Sequence, residues 1–155
     1  MADAVDVVTV RRLGPGDWEL TRRLRLAALL DAPDAFGGTY ADTLARPEEQ
    51  WRSWPGGGPV FAAERDGLPV GLVCGFPHPD GRAELISMWV APGARGRRVA
   101  ARLIDAVADW ARESGAEALE LHVYPHNQAA YQAYARYGFT DQEVADEILM
   151  RLPLR

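Results

Sequence analysis

Residues 83–111 have the pattern of a phosphate-binding turn between a strand and a helix. The apolar run over residues 85–90 predicts a buried strand, and Pro92, Gly93 and Gly96 then form a turn. Because the first turn of a helix has free backbone N–H groups and the positive end of the helix dipole, residues 95–100 should attract an anion such as phosphate. The apolar residues after the turn recur at helical spacing: Val99, Leu103, Val107, Trp110 and Ala111.

Asn127, Tyr134 and Glu84 are candidates for hydrogen bonding and proton transfer. Asn127 and Tyr134 are seven residues apart in a predicted helix, so their side chains share one face. Glu84 begins the central strand, and a carboxylate in that position can accept a proton. In a strand without a bulge, Glu84 would lie on the same face as Ile86, Met88 and Val90.

Glu120, His122 and Tyr124 form a second polar stripe, because they alternate with apolar residues along one predicted strand. His122 could act as a base, although a solvent-exposed strand face would have the same pattern. The 3 histidines and the single cysteine, Cys74, lack the spacing of zinc ligands, so we expect no metal. Cys74 lies in an apolar run, which predicts a buried and inert thiol.

The remaining sequence predicts the elements that hold these residues in place. Alternating or continuous apolar patterns predict about seven strands, at residues 5–13, 60–65, 68–76, 85–90, 119–123, 139–144 and 148–152. Helical spacing predicts about four helices. One follows Asp17, and the others cover residues 47–54, 99–113 and 127–137. Residues 36–40 are predicted to be a loop. This order implies an α+β fold in which helices cover both faces of a mixed sheet.

Composition limits the class of protein. A chain of 155 residues is expected to be one domain, residues 1–155. The net charge of -5 argues against a nucleic-acid partner. The sequence has no apolar run of the roughly 20 residues needed to span a bilayer, so no membrane partner is expected. Residues 1–10 contain two aspartates and no basic segment, which predicts a cytoplasmic protein without a signal peptide.

Three segments carry motifs of one known family. Residues 90–100 are similar to an acyl-CoA loop that reads Arg or Gln, two residues, Gly, one residue, then Gly or Ala; Arg95 and Ala100 fill its ends, and Arg98 stands where the middle Gly is usual. Residues 127–139 are similar to an Asn-x-x-Ala-x-x-x-Tyr-x-x-x-Gly-Phe helix, and residues 33–40 together with Trp51 match a common N-terminal pattern. With these motifs in this order, the chain resembles small bacterial members of the GNAT superfamily of N-acetyltransferases.

The resemblance implies a GNAT fold, in which the central sheet is splayed in its middle, and acetyl-CoA as the acetyl donor. The loop would bind the pyrophosphate, and the strand before it would pair through its backbone with the pantetheine arm. The residues that the resemblance assigns to the cofactor are Met88, Trp89, Val90, Arg95, Gly96, Arg97, Arg98, Val99, Ala100, Asn127 and Tyr131.

The resemblance also implies roles in catalysis and acceptor binding. Tyr134 would lie beside the sulfur of the coenzyme and protonate the departing thiolate. The acceptor amine must lose a proton, and Glu84, His122 or a chain of waters could take it. The first two helices and their loop should form the acceptor pocket, for which the candidate residues are Arg25, Phe36, Tyr40, Trp51 and His122.

These assignments predict an N-acetyltransferase that moves an acetyl group directly to a primary amine, most simply that of a small molecule. Two alternatives stay open: an enzyme that acetylates protein N-termini or lysines, and a non-catalytic acyl-CoA sensor. Arg98 favours the sensor, since it replaces a glycine that would let backbone approach the pyrophosphate closely. The chain could be a monomer or a homodimer.

Overall fold

A computed structural model describes residues 8–96 and 98–155 of the chain. The first predicted strand begins at residue 5, so its opening residues lie outside the described part. Arg97, assigned above to cofactor binding, also lies outside it.

Seven strands form one mixed sheet with the order β1-β2-β3-β4-β5-β7-β6. Neighbours pair antiparallel except β4 and β5, which run parallel. The mixed seven-stranded sheet predicted from the sequence is therefore confirmed. The strands are β1 Val8–Leu13, β2 Val60–Arg65, β3 Leu68–Pro77, β4 Ala83–Val90, β5 Ala118–Val123, β6 Thr140–Val144 and β7 Ile148–Pro153.

Among the described residues, five α-helices accompany the sheet: α1 Trp18–Asp31, α2 Tyr40–Leu44, α3 Glu48–Ser53, α4 Val99–Glu113 and α5 Gln128–Tyr137. The prediction that residues 36–40 are entirely loop is wrong at its end, because Tyr40 begins α2. Thr39 caps this helix, and its hydroxyl oxygen accepts a hydrogen bond from the Asp42 N–H at 3.1 Å. In the described part of the chain, every helix is too short or too polar to cross a bilayer.

The sheet separates two apolar cores. On one face, α4 and α5 cover a large core that includes Leu85, Leu103 and Tyr134. On the opposite face, α1 covers a smaller core that includes Leu24, Cys74 and Trp89. Gly75 fixes the position of α4 on β3, because a Cβ atom on Gly75 would lie 2.6 Å from the Trp110 ring.

The sheet is splayed between β4 and β5. The two strands pair only at Ala83 with Leu119 and at Glu84 with Glu120. Beyond Glu84, β4 continues to Val90 paired with β3 alone. The edge of β4 that faces β5 is therefore free over several residues, as predicted for a sheet that opens in its middle.

A β-bulge interrupts β4 where the strands separate. The register with β3 shifts between Leu72 and Cys74, and Ser87 has a left-handed backbone with φ of 57°. As a result Ile86 packs into the α1-side core, whereas Met88 and Val90 pack against the α4-side core. The expectation that Glu84, Ile86, Met88 and Val90 share one face is wrong, because the extra residue reverses the alternation.

Candidate functional site

A cavity of about 230 Å³ lies where β4 and β5 separate. The strand edges, the start of α5 and the segment between α1 and α2 all contribute to its wall. Both residues predicted to transfer protons line it, together with three of the residues predicted to bind the acceptor. The lining residues are Arg25, Ala35, Phe36, Gly37, Glu84, Leu85, Ile86, Ser87, Met88, His122, Val123, Tyr124, Asn127, Ala130, Tyr134 and Glu147.

The Glu84 carboxylate lies between two imidazoles. Its Oε1 is 2.8 Å from Nε2 of His78, and its Oε2 is 3.2 Å from Nδ1 of His122. The Glu84 side chain is 20% exposed and His122 is 42% exposed, so the group connects the cavity wall to solvent. These contacts hold the carboxylate in one orientation, with an imidazole nitrogen on each side.

His78 is a residue of this site that the sequence did not reveal. It lies in the turn between β3 and β4, and its backbone N–H donates to the Arg82 carbonyl at 2.9 Å. The pattern Pro-His-Pro-Asp-Gly indicates only a turn. The turn between β3 and β4 could have indicated this contact, because the two strands pair up to Pro77 and Ala83 and so bring residue 78 near the start of β4.

The one carboxylate of the polar stripe, that of Glu120, bonds outside the cavity. Glu120 Oε1 accepts from Arg82 Nη1 at 3.4 Å, and Arg82 also donates to Asp80 at 2.8 Å. Tyr124 stacks on His126 with ring centroids 5.3 Å apart. Of the stripe, only His122 contacts Glu84, and Glu120 is held by its own cation.

Tyr134 presents a protonated phenol at the cavity. The residue is 7% exposed and packs edge-on against Phe139 with centroids 5.8 Å apart. Burial raises the pKa of Tyr134 above its ordinary value because the phenolate would lose its hydration. The hydroxyl therefore keeps its proton at neutral pH and can donate it.

Asn127 and Tyr131 occupy different positions on α5. Asn127 lines the cavity and is also the N-cap, with its side-chain oxygen 3.4 Å from the Ala130 N–H. The Tyr131 hydroxyl donates to the Asp141 carboxylate on β6 at 3.0 Å, and Tyr131 does not line the cavity. The structure thus brings Asn127, but not Tyr131, next to Tyr134 at the cavity.

The residues predicted for the acceptor pocket divide into two groups. Arg25, Phe36 and His122 line the cavity. Tyr40 lines a separate groove along the outer side of α1. Trp51 is buried under α3 against the guanidinium of Arg46, 4.5 Å from the ring centroid, and does not line the cavity.

The turn before α4 has the geometry of an anion site. The Arg102 N–H bonds to the Arg98 carbonyl at 3.1 Å, which leaves the N–H groups of residues 99–101 outside the helical ladder. Arg98 has a left-handed backbone with φ of 64°, the conformation that explains why a glycine is usual there. Nothing lies within 4 Å of a Cβ built on Gly96, so the space in front of the turn is open.

The Arg95 side chain is turned back onto the protein. Its Nε donates to the Val90 carbonyl at 2.9 Å, and its Nη2 pairs with the Asp31 carboxylate at the end of α1. Trp89, buried in the α1-side core, donates its indole N–H to the same carboxylate at 3.0 Å. These donors lower the pKa of Asp31, the Trp89 hydrogen bond most strongly. Arg95 therefore anchors the turn to α1.

The residues present fit a coenzyme A molecule bound across β4 and α4. Free N–H groups at the α4 terminus, with the exposed Arg98 beside them, suit a pyrophosphate. The unpaired edge of β4 beyond Glu84 suits the amide groups of an extended arm. Within residues 8–96 and 98–155, no group of three or more His, Cys, Asp and Glu side chains is placed to hold a metal ion.

The profile of the Acetyltransferase (GNAT) family matches residues 26–139. The chain is 34% identical over 136 residues to a mycothiol acetyltransferase from Thermomonospora curvata, covering 87% of the chain and 45% of that protein. It is 38% identical over 82 residues to an L-2,4-diaminobutyric acid acetyltransferase from Streptomyces coelicolor, covering 50% of the chain and 48% of that protein. The chain thus spans slightly less than half the length of these curated relatives.

Solved structures share the fold at low sequence identity. A GNAT-family acetyltransferase from Streptococcus pneumoniae matches with a TM-score of 0.77 and 20% identity, over 95% of this chain and 99% of that one. The PaiA N-acetyltransferase from Thermoplasma acidophilum, in complex with coenzyme A, matches with a TM-score of 0.73 and 14% identity, over 95% and 99% of the two chains. At these identities the comparison establishes the fold alone.

Proposed function

The chain belongs to the acetyltransferase (GNAT) family, and from this premise we propose that it moves an acetyl group from acetyl-CoA to a primary amine of a small molecule. One observation carries the proposal. A carboxylate, Glu84, and a protonated phenol, Tyr134, line the same cavity at the point where β4 and β5 separate. Amine acetylation needs a proton acceptor and a proton donor in that arrangement.

The coenzyme would be held by main-chain groups. The N–H groups of residues 99–101 and the Arg98 side chain would bind its phosphates, and the free edge of β4 at Met88 and Val90 would bind its pantetheine amides. When bound, acetyl-CoA supplies a thioester whose acetyl group can be transferred. Asn127 at the start of α5 offers a further polar contact from the cavity wall.

Glu84 would accept the proton of the acceptor ammonium at one of its carboxylate oxygens. His78 and His122, each within hydrogen-bond distance of that carboxylate, would keep it oriented and pass the proton outward. The amine nitrogen would then bond to the acetyl carbon as the carbon–sulfur bond breaks. Tyr134 would donate its hydroxyl proton to the departing sulfur and regain one from the attacking nitrogen, and a β4 backbone N–H near Met88 would polarise the carbonyl oxygen. The Tyr134 ring itself packs in the α4-side apolar core.

The size of the cavity supports a small acceptor. A volume of about 230 Å³ is below that of typical ligand pockets, which measure roughly 300–1,000 Å³. The names of two relatives, mycothiol acetyltransferase and L-2,4-diaminobutyric acid acetyltransferase, also refer to small molecules. A cytoplasmic location, a single domain and a monomeric or homodimeric state stay predictions.

The test has two independent measurements. Calorimetric titration with coenzyme A measures binding without an acceptor, and we expect one site per chain. A thiol-release assay with acetyl-CoA then screens amino acids, polyamines, aminoglycosides and short peptides, and we expect turnover with at least one small amine. Propionyl-CoA in the same assay determines whether the acyl group is specifically acetyl.

Each other outcome identifies a different protein. Turnover with peptides alone would replace the small-molecule acceptor by a protein N-terminus or lysine. Coenzyme binding without turnover on the whole panel would indicate an acyl-CoA sensor. If calorimetry detects no coenzyme binding, the proposed enzyme is wrong.

A further inference from the structure

Arg25 lies on α1, is only 8% exposed, and lines the cavity described above. Its Nη2 donates a hydrogen bond to the Gly37 carbonyl at 2.8 Å. Its Nη1 is buried and has no hydrogen-bond partner in the described part of the chain. Buried N–H groups in proteins are nearly always paired. The hydrogen bond to Gly37 therefore leaves the Nη1 group of Arg25 without the partner expected for a buried donor.

The charge of Arg25 is also uncompensated. Its guanidinium lies 5.0 Å from the ring centroid of Phe36 and 5.9 Å from that of Trp54. The titratable groups that act on it are Cys74 and Arg46, and burial lowers its pKa. Cys74 is neutral, because burial raises the pKa of its thiol, and Arg46 is a cation. No salt bridge joins Arg25 to a carboxylate of the described residues, although Glu84 and Glu147 line the same cavity.

The lining of the cavity thus includes one arginine, Arg25, and the carboxylates of Glu84 and Glu147. Glu84 is oriented by its two histidines and suits an ammonium group. Arg25 has unused N–H groups and a charge that a carboxylate would neutralise, in the planar geometry that guanidinium and carboxylate share. A small molecule with both groups complements the cavity better than an amine alone.

We propose that the acceptor is a small amino or diamino acid, and that Arg25 binds its carboxylate. This inference rests on the proposed function, since it names the substrate class of the same site. Glu84 faces the reacting amine, and Arg25 sets which amines are accepted. Simple polyamines, which lack an anion, would leave the Arg25 charge buried without a partner.

A purely structural role for Arg25 makes a different prediction. The segment 34–37 is held to the body by the Arg25 bond to Gly37 and by a contact of His126 Nε2 with the Asp34 carbonyl at 3.2 Å. If Arg25 only anchors this segment, its replacement would lower kcat/KM equally for all acceptors. If it binds a carboxylate, the loss would be confined to acceptors that carry one.

The experiment compares amines that differ only by a carboxylate. The pairs are 2,4-diaminobutyrate with 1,3-diaminopropane, ornithine with putrescine, and lysine with cadaverine. For the wild type, kcat/KM in the thiol-release assay and calorimetric affinity in the presence of coenzyme A should favour the carboxylated member of at least one pair by about 30-fold or more. Arg25→Gln should reduce that preference to within about threefold, while Arg25→Lys should keep part of it.

Arg22→Gln is the matched control. Arg22 is on the same helix and also donates to a carbonyl, that of Leu44 at 3.3 Å, but it lines the outer groove instead of the cavity. This variant should keep the wild-type preference. If Arg25→Gln does not fold, as judged by circular dichroism, the wild-type comparison of pairs still decides.

Equal or better use of the decarboxylated members, or no binding of any carboxylated member, would overturn the assignment of Arg25. An equal loss on both members in Arg25→Gln would do the same. Turnover of any amine would leave the acetyltransferase standing in each case. The proposed function fails separately, through absent coenzyme binding.

Discussion

The Glu84 carboxylate on β4 and the His78 imidazole in the turn before that strand lie 2.8 Å apart. The contact joins the residue proposed as the proton acceptor to the turn between β3 and β4, where the His78 side chain is 23% exposed. His78 is thus a positioning residue for Glu84, which itself faces the cavity. The first prediction concerns this pair.

Glu84→Gln should lower kcat about 100-fold with the best acceptor of the amine panel, because the amide cannot take the ammonium proton. Coenzyme affinity in calorimetry should stay within about twofold, since the proposed phosphate site is on α4. His78→Gln should lower kcat by about tenfold and alter the pH profile of kcat, because Glu84 loses a titratable partner.

Glu120→Gln is the control for this prediction. Glu120 pairs with Glu84 across the two strands, but its carboxylate is bonded to Arg82. Its replacement should leave kcat within about twofold, because exposed ion pairs contribute little. Equal activity of Glu84→Gln and wild type would assign deprotonation to a water chain or to His122.

Tyr134→Phe should lower kcat about 100-fold and leave the KM for acetyl-CoA nearly unchanged, since the ring remains and only the proton donor is lost. Burial raises the pKa of Tyr134, so the phenol stays protonated beyond the ordinary tyrosine value of about 10. Any decline of wild-type kcat between pH 8 and about 10 should therefore persist in Tyr134→Phe.

Tyr137→Phe tests whether any tyrosine of α5 would have this effect. The Tyr137 hydroxyl bonds to Asp105 on α4, outside the cavity. Its removal should change the free energy of unfolding by about 1 kcal/mol with little change in kcat. An unchanged kcat in Tyr134→Phe would remove that residue from the mechanism.

Arg98 combines a strained backbone with a charge beside the proposed phosphate site. Because an L-residue with φ of 64° costs about 1–2 kcal/mol, and glycine loses about 0.5–1 kcal/mol of entropy on folding, Arg98→Gly should be about 0.5–1 kcal/mol more stable than Arg98→Ala. Urea unfolding measures this difference. Coenzyme affinity should fall about threefold to tenfold in both variants, and by less in high salt. Unchanged affinity would mean that main-chain N–H groups bind the phosphates without help from the Arg98 side chain.

Much of the fold could be predicted from periodicity. Most of the strands and α4 bury regular apolar patterns, whereas β6 is exposed throughout. The Asp66-Gly67 hairpin follows from residues that tolerate the observed φ values of 52° and 79°. Two features could not be predicted this way. The five residues of α2 are too few to show apolar residues recurring at helical spacing. The bulge at Ser87 depends on how β4 pairs with β3.

The sequence could indicate which residues form the candidate site, but not which contacts their side chains make. Glu84, Tyr134, Asn127 and His122 line one cavity, and the roles assigned to them from the sequence stay predictions. The partner of Arg95 was not predictable, because Asp31 is 64 residues away in sequence. Motif matching names the residues of a loop, whereas the direction of each side chain depends on such distant partners.

Asp31 links the end of α1 to the phosphate turn, and its contribution to stability should depend on pH. Trp89 and Arg95 both donate to its carboxylate and hold its pKa below the ordinary value. A carboxylate whose pKa is depressed in the folded state stabilises the fold above its unfolded pKa, about 3.9, and loses this contribution as the pH falls through the lower folded value. Asp31→Asn should therefore be less stable than wild type by about 1 kcal/mol at pH 7.

The free energies of unfolding of wild type and Asp31→Asn should become more similar in acid. Urea unfolding at pH 7, 4 and 2.5 measures the difference in free energy of unfolding between wild type and Asp31→Asn, which should shrink at pH 2.5 because Asp31 is then largely protonated in the unfolded chain. Asp109→Asn, which removes an exposed pair with Arg112, should cost little at any pH. A difference that persists undiminished at pH 2.5 would mean that Asp31 acts through packing and neutral hydrogen bonds, and the charge of Arg95 would then be free to serve the phosphate site.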